Sequence, residues 1–299
     1  MIYKMEETEF IWFNGKLVKW NEARIHVLSH ALHYGSGVFE GIRVYKTQRG
    51  RAVFRLKEHV KRLFSSAESL FMNLKYSEEE IVKAVKETVR ANGLEEGYIR
   101  PIIFYGYGKM GLDPEGADID VAIAVWPWPA YIGDSAKVKT SSFIRIHPKS
   151  LRADKKVCGH YVNSILSSLE AKKQGYDEAL LLDSEGLVAE GPGENIFMIK
   201  EGKIYTPPLK HQILPGITRD SVIKIARGLG IEVEEKDLKL EDLKEADELF
   251  FTGTAAEVTP IVKLDDKEFE KGHVTLSLKE KYLDVVKGKA GYEEWLDYI

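Results

Sequence analysis

The sequence predicts an α+β protein built as two domains. Two observations carry that reading. Short strand patterns and helical patterns come in runs along the chain, the order expected of an α+β fold. Near the middle, Trp126-Pro127-Trp128-Pro129-Ala130-Tyr131-Ile132-Gly133 carries two prolines and a glycine that preclude regular structure. This divides the chain into a domain of residues 1–126, a linker at 127–133 and a second domain at 134–299. The length of 299 residues is enough for two domains or one large one.

In the first domain, Phe10 to Val18 reads as a hairpin, with Asn14-Gly15 supplying the two positive-φ positions of a tight turn. Val38 to Tyr45 and Arg51 to Phe54 read as strands, followed by a helix from about Lys57 to Met72. A second helix starts at Ser77, whose hydroxyl can form a capping box with Glu80, and stops at Asn92-Gly93. Tyr98 to Tyr105 and Ile119 to Trp126 are apolar strands. In the second domain, Val162, Ile165, Leu166 and Leu169 recur at i, i+3, i+4, i+7 and predict an amphipathic helix. Glu178 to Asp183 and Leu187 to Glu190 flank a turn, and Asn195 to Lys200 and Lys203 to Thr206 form a hairpin. A helix follows from Thr218 to Leu229. Strands at Ile231 to Glu235, Glu248 to Thr252 and Val258 to Val262 complete a mostly antiparallel sheet, and His273 to Lys287 is a closing helix.

Composition narrows the partners. Apolar content of 44% and charged content of 30% are those of a soluble globular protein. A formal charge of −4 offers no reason to expect nucleic acid or an anionic membrane. Cys158 is the single cysteine, so no internal disulfide forms, which fits a reducing cytoplasm. No apolar run reaches the ~18 residues of a membrane span, and the first residues lack the apolar core of a signal peptide. Six Asn and three Gln beside abundant Glu and Lys lean toward a thermophilic source.

Six segments bear chemistry. Lys155-Lys156 precede the central helix, whose dipole disfavours an ammonium there, and burial would push a lysine the same way. A neutral lysine amine suits Schiff-base chemistry, though a solvated pair of surface charges explains the same residues. Ser29 to Arg43 mixes glycines, His30, His33 and aromatics. No Cys, Asp or Glu stands at ligand spacing from the histidines, so no metal is expected. Tyr98 and Arg100 share one strand face and can hold a carboxylate, or Arg100 is an edge-strand surface residue beside Pro101. Glu190-Gly191-Pro192-Gly193-Glu194-Asn195 is a tight loop with two carboxylates, or a plain acidic turn. Leu214 to Asp220 places a glycine turn at a helix N-terminus, a phosphate site or an ordinary cap. Phe251 to Glu257 leaves a strand into small residues whose amides can form an anion nest.

Taken in this order, the segments resemble the branched-chain aminotransferases of the fold-type IV pyridoxal-phosphate enzymes, over nearly the whole chain from Phe10 to Asp297. The resemblance implies the two-domain α+β fold of that family, with pyridoxal 5'-phosphate at the domain interface. The family places a tyrosine five residues after its Schiff-base lysine and a glutamate thirty-four after it. Those offsets select Lys156, with Tyr161 and Glu190, and leave Lys155 as a solvated neighbour. Here Val157-Cys158-Gly159-His160 replaces the commoner Ala-Gly-Gly-Asn. The resemblance further implies that Glu190 holds the pyridine nitrogen protonated and Tyr161 bonds the ring 3-oxygen. Arg62, Ile217, Thr218, Gly253 and Thr254 would take the phosphate, and Gly193 would let the backbone approach the ring.

On the substrate side it implies a pocket of Phe39, Gly41, Tyr98, Trp128 and Tyr131. Thr254 and Ala255 would bind the α-carboxylate, and Arg100 the distal carboxylate of glutamate. Tyr34 and Leu112 would come across a dimer interface. A homo-oligomer is thus expected, with a dimer as the minimal unit and a hexamer as a larger assembly. The implied reaction is reversible ping-pong transfer of the amino group from leucine, isoleucine or valine to 2-oxoglutarate. D-Amino acid and (R)-amine transaminases and aminodeoxychorismate lyase share the fold. Tyr98-Ile99-Arg100-Pro101 and Lys109-Met110-Gly111-Leu112 favour the branched-chain group over the lyase and leave a secondary activity on D-amino acids or aromatic substrates open. A cofactor-free binding protein would need the lysine, the glutamate and both anion sites to be vestigial.

Overall fold

The computed structural model describes residues 5–128, 133–211 and 213–299. Its chain divides into two compact units, Met1–Pro129 with Lys155–Gly159 and Val286–Ile299, and Ala130–Asp154 with His160–Val285. Four of the expected linker positions, 129–132, and with them Tyr131, lie outside the described residues.

The first unit opens with the hairpin β1 (Phe10–Phe13) and β2 (Lys16–Lys19), where Asn14 and Gly15 do adopt positive φ. A short helix α1 (His30–Tyr34) leads into β3 (Gly37–Phe39) and β4 (Ile42–Thr47). The single strand expected over Val38 to Tyr45 is therefore broken at Glu40-Gly41. Glu40 donates its N–H to Pro101 O at 2.9 Å while its side chain turns into a buried charge cluster. Then come β5 (Gly50–Phe54), α2 (Leu56–Glu68), α3 (Glu78–Ala91), β6 (Gly97–Tyr105) and β7 (Ile119–Trp126). Ser77 and Glu80 form the capping box.

Among the described residues, these strands and Leu296–Tyr298 make an eight-stranded sheet, with β3 pairing β6 off its main path. Val60, Leu63, Ile81, Val85, Ile99, Ile103 and Ile123 form its core. Ile99 and Ile103 point into that core, so the pleat sends Tyr98 and Arg100 to the opposite face.

The sequence reading groups the lysine segment with residues 134–299, yet its contacts put it in the first unit. Val157 bridges Val38, is buried with the first unit's core, and carries the segment with it. The C-terminal strand transfers for the same reason: Leu296 pairs Phe54.

The second unit comprises β8 (Ala136–Thr140), α4 (Tyr161–Lys173), β9 (Glu178–Leu182), β10 (Val188–Glu190), β11 (Asn195–Lys200) and β12 (Lys203–Thr206). It continues through α5 (Ile217–Gly228), β13 (Val233–Glu235), α6 (Leu240–Lys244), β14 (Glu248–Gly253), β15 (Glu257–Leu264), β16 (Lys267–Glu268) and α7 (His273–Val286). The C-terminal strand of the first unit is β17 (Leu296–Tyr298). Most pairs in the second sheet are antiparallel, with β8 entering parallel to both β9 and β15. Its core holds Val138, Leu180, Ile196, Met198, Leu249 and Ile261.

Helix α4 forms where its period predicts, but it is turned over. Val162, Ile165, Leu166 and Leu169 are 60%, 55%, 44% and 50% exposed, while Ser164, Ser167 and Ala171 are buried. The small residues let the helix approach β8 and β9 closely, and the Ser167 hydroxyl is satisfied by Ser164 O at 3.0 Å. Periodicity reveals a stripe without saying what will cover it. No helix among the described residues is long and apolar enough to cross a membrane.

Candidate active site

In the first unit, Lys156 is held through its backbone from two sides. Its N–H donates to the buried Ser66 hydroxyl of α2 at 3.0 Å, and its carbonyl accepts from Phe39 N of β3 at 3.1 Å. Its Nζ stands 5.1 Å from the centre of the Phe39 ring. Lys155 is not the solvated neighbour expected: it is half-buried and donates to Ser65 Oγ at 2.8 Å.

Arg62 lies on α2 with its fork closed on a fully buried carboxylate. Its Nε and Nη2 donate to Glu40 Oε1 and Oε2 at 2.6 and 2.8 Å, and His59 Nδ1 meets Oε2 at 2.7 Å. Burial alone would raise the Glu40 carboxyl, but the Arg62 guanidinium and then His59 outweigh it and hold it well below the usual range. Burial also lowers His59, against the pull of Glu40, so its ring is neutral and donates from Nδ1.

An aromatic box surrounds Arg100. Tyr98 packs on Trp128 and Trp126 at 4.8 and 5.3 Å between ring centres. The Arg100 guanidinium lies 4.7 Å over Phe39 and gives Nη2–H to Tyr98 Oη at 3.3 Å. Its Nε is buried with no hydrogen-bond partner among the described residues. Gly41 must be glycine, because an added Cβ would overlap the Tyr98 hydroxyl. Cys158, nearby in sequence, has its thiol pushed up to about 11 by burial, with Arg100 opposing. It is a packed thiol, not a nucleophile.

Tyr34 and Leu112 are exposed. His30 ties their two segments together, with Nδ1 at 2.6 Å from Ser36 Oγ and Nε2 at 2.7 Å from Gly111 O. His33 meets Val27 O.

In the second unit the focus is Glu190, at the end of β10. Oε1 receives Arg145 Nε at 2.7 Å, Oε2 receives Asn195 Nδ2 at 2.9 Å, and Leu214 N reaches both oxygens at 3.2 and 3.1 Å. Such a ring of donors fits a carboxylate, not an acid hydroxyl. Asn195 also donates to Leu214 O at 3.1 Å, tying the Glu190 loop to the turn before α5. A Cβ at Gly216 would overlap Asn195 Oδ1, so the turn needs its glycine. Gly216 is also the cap residue of α5, with no side chain to close that helix end. Ile217 and Thr218 begin the helix, both buried. Gly253 approaches Gly193, since its added Cβ would sit 3.3 Å from Gly193 O. A Cβ at Gly193 itself would meet nothing within 4 Å. Thr254 and Ala255 follow in the half-buried turn between β14 and β15, and Tyr161 is the first residue of α4.

Several residues escape the sequence reading. Glu40, His59 and Ser66 bind the lysine strand and Arg62 together. Their signal is a carboxylate between apolar strand residues, and a polar line at His59, Arg62 and Ser66 along one face of α2. Arg145 is a lone charge between Ile144 and Ile146.

Each unit carries groups of a kind that suits part of a phosphorylated pyridine cofactor: the first a fork-held arginine and a lysine amine beside an aromatic ring, the second an oriented carboxylate and a glycine-capped helix end with small residues around it. Residues 37–264 match the amino-transferase class IV family. The chain belongs to that family of pyridoxal-phosphate enzymes. Branched-chain aminotransferases are among its relatives. That of Pseudomonas aeruginosa is 48% identical over 294 residues, 95% of each chain. The solved enzyme from Thermoproteus uzoniensis, with norvaline, superposes with a TM-score of 0.94 at 44% identity, covering 97% of this chain and 98% of that one. The solved Escherichia coli enzyme gives a TM-score of 0.95 at 42% identity, covering 97% and 99%. The fold is therefore that of the fold-type IV enzymes, and the protein is an aminotransferase.

Proposed function

We propose that this enzyme transfers the amino group of leucine, isoleucine or valine to 2-oxoglutarate, giving the branched-chain 2-oxo acid and L-glutamate in two alternating half-reactions. The carrying observation is the Arg100 box. Tyr98, Trp126, Trp128 and Phe39 offer apolar walls to an aliphatic side chain, and the Nε–H of Arg100, without a partner among the described residues, offers a donor to a distal carboxylate. One pocket can then serve both substrates without rebuilding.

Bound pyridoxal 5'-phosphate supplies the carbonyl that takes up an amino group and a ring that withdraws electrons from the α-carbon. Lys156 would hold the cofactor through its amine, and that amine would serve as the base that takes the substrate α-proton and returns it. Glu190, held by Arg145, Asn195 and Leu214 N, would hold the pyridine nitrogen protonated, and Tyr161 would bond the ring oxygen. Arg62, Ile217, Thr218, Gly253 and Thr254 would hold the phosphate, and Gly193 would leave room for the ring. Thr254 and Ala255 would hold the α-carboxylate, and Gly41 and Tyr131 would serve the substrate side chain.

We also propose a homo-oligomer in the cytoplasm, with Tyr34 and Leu112 reaching a second copy. Supporting this are the exposed apolar side chains of Leu32, Tyr34 and Leu112 and the outward stripe of α4. Light scattering on the purified chain checks it: a monomer at micromolar concentration would refute it.

The decisive assay follows each half-reaction by the change in visible absorbance on adding leucine, isoleucine, valine, L-glutamate, a D-amino acid or (R)-1-phenylethylamine. Responses to the branched-chain acids and L-glutamate are expected. A response confined to the D-amino acid or the amine would overturn the proposal. Lys156→Ala should lose both the visible absorbance of bound cofactor and turnover.

A further inference from the structure

Glu40 is a fully buried carboxylate next to the candidate site, and neither substrate binding nor proton transfer has a use for it. Its surroundings suggest one. The two oxygens meet Nε and Nη2 of Arg62 in a side-on fork, the geometry that fixes a guanidinium plane as well as its position. His59 donates to the same carboxylate. A third donor, Gly41 N, reaches Oε2 at 3.3 Å. His59, Arg62 and Ser66 occupy one face of α2 at i, i+3 and i+7, and Ser66 is the residue that receives the Lys156 N–H. On the strand side, Glu40 directly follows Phe39, whose N–H bonds the Lys156 carbonyl. The helix face and the strand thus close around Glu40 and hold lysine and arginine in one rigid frame.

We propose that Glu40, braced by His59, is the positioning residue that presents Arg62 to the cofactor phosphate, so that the phosphate meets an arginine already oriented. The inference rests on Arg62 as a phosphate ligand. An unclamped arginine, with its many rotamers, would have to be ordered on binding, whereas a clamped one has lost that freedom in folding. Glu40→Gln keeps the shape but, whichever way the amide turns, sets its NH₂ group against Nε or Nη2 of Arg62, so one arm of the clamp is lost.

The test measures cofactor affinity in the full-length protein, freed of cofactor and titrated with pyridoxal 5'-phosphate and, separately, with pyridoxal, which lacks the phosphate. Glu40→Gln is expected to raise the Kd for pyridoxal 5'-phosphate by about tenfold or more, the size of a lost preorganisation of one side chain, and to leave that for pyridoxal essentially unchanged. His59→Leu, which removes the brace alone, should give a smaller loss with the same selectivity, and it serves if Glu40→Gln does not fold. Equal loss for both ligands, or no loss for either, would overturn the role of Glu40. Arg62→Ala separates the two readings. If it weakens phosphate-selective binding while Glu40→Gln and His59→Leu do not, only the positioning role falls. If it leaves pyridoxal 5'-phosphate binding unchanged, Arg62 is not the phosphate ligand and the inference falls with it.

Discussion

Replacing Arg145 by methionine isolates what holds Glu190. The side chains of both residues are almost wholly buried, and the Arg145 Nε to Glu190 Oε1 distance is 2.7 Å. Methionine keeps the stem and removes the cation. Removing one partner of a buried pair costs about 3–5 kcal/mol because an uncompensated charge is left behind. Asn195 Nδ2 and Leu214 N remain as donors to the carboxylate, which argues for the lower end, about 3 kcal/mol. Since 1 kcal/mol corresponds to roughly 2–4 °C in chains of roughly 150–250 residues, the cofactor-free variant should melt roughly 6–12 °C lower. Glu190→Gln in the same background removes the stranded charge and should restore part of the loss, with a coupling of about 1–3 kcal/mol in the double-mutant cycle. Differential scanning calorimetry of the four cofactor-free proteins measures it. A single-variant loss below about 1 kcal/mol, or strictly additive effects, would refute the view that this pair is a mutually dependent buried unit.

Three further outcomes follow from the geometry. Gly41→Ala drives a methyl into the Tyr98 hydroxyl and to 2.7 Å from Cζ, so the phenol must leave its contacts with Arg100 and Trp128; steady-state kinetics should show KM for leucine and L-glutamate raised roughly tenfold or more, and an unchanged KM would contradict the pocket assignment. His59 is lowered from its ordinary value by burial, so as the pH falls the unfolded chain takes up a proton that the folded ring refuses. Stability should therefore fall as pH drops from about 6.5 toward 5, and urea titrations of His59→Gln should show a flatter slope in that window. Cys158, with its thiol pushed up to about 11, should react with a neutral thiol reagent at a pH of about 7.5 far more slowly than it does in urea.

Much of the fold can be read from local chemistry. Asn14-Gly15, the Ser77 and Glu80 capping box, and the hairpin from Asn195 to Thr206 are signals carried by a few neighbouring residues, and each element forms where its residues say. The segments His30 to Arg43, Glu190 to Asn195 and Leu214 to Asp220 are legible as chemistry because glycines and charged groups interrupt the hydrophobic period there. Choosing Lys156 over Lys155 rests on the family's offsets to Tyr161 and Glu190, which only the resemblance supplies, since nothing local distinguishes two adjacent lysines.

Other features depend on distant partners. Lys155 is drawn to Ser65 and Lys156 pinned by Ser66, each ninety residues away in sequence. The α4 stripe faces outward because three small residues, not four large ones, fit against the sheet. Glu40 could pass for a strand residue until α2 brings His59 and Arg62 to it, and Arg145 has no visible partner until β10 delivers Glu190. Neighbouring residues were enough to specify the elements and the chemistry-bearing segments, because turn geometry, capping and periodicity act over a few positions; the cofactor class came from the family resemblance of those segments taken in order. The pairing of buried charges was settled by the folded chain alone, because a charge can enter a low-dielectric interior only once its counter-charge has been brought beside it.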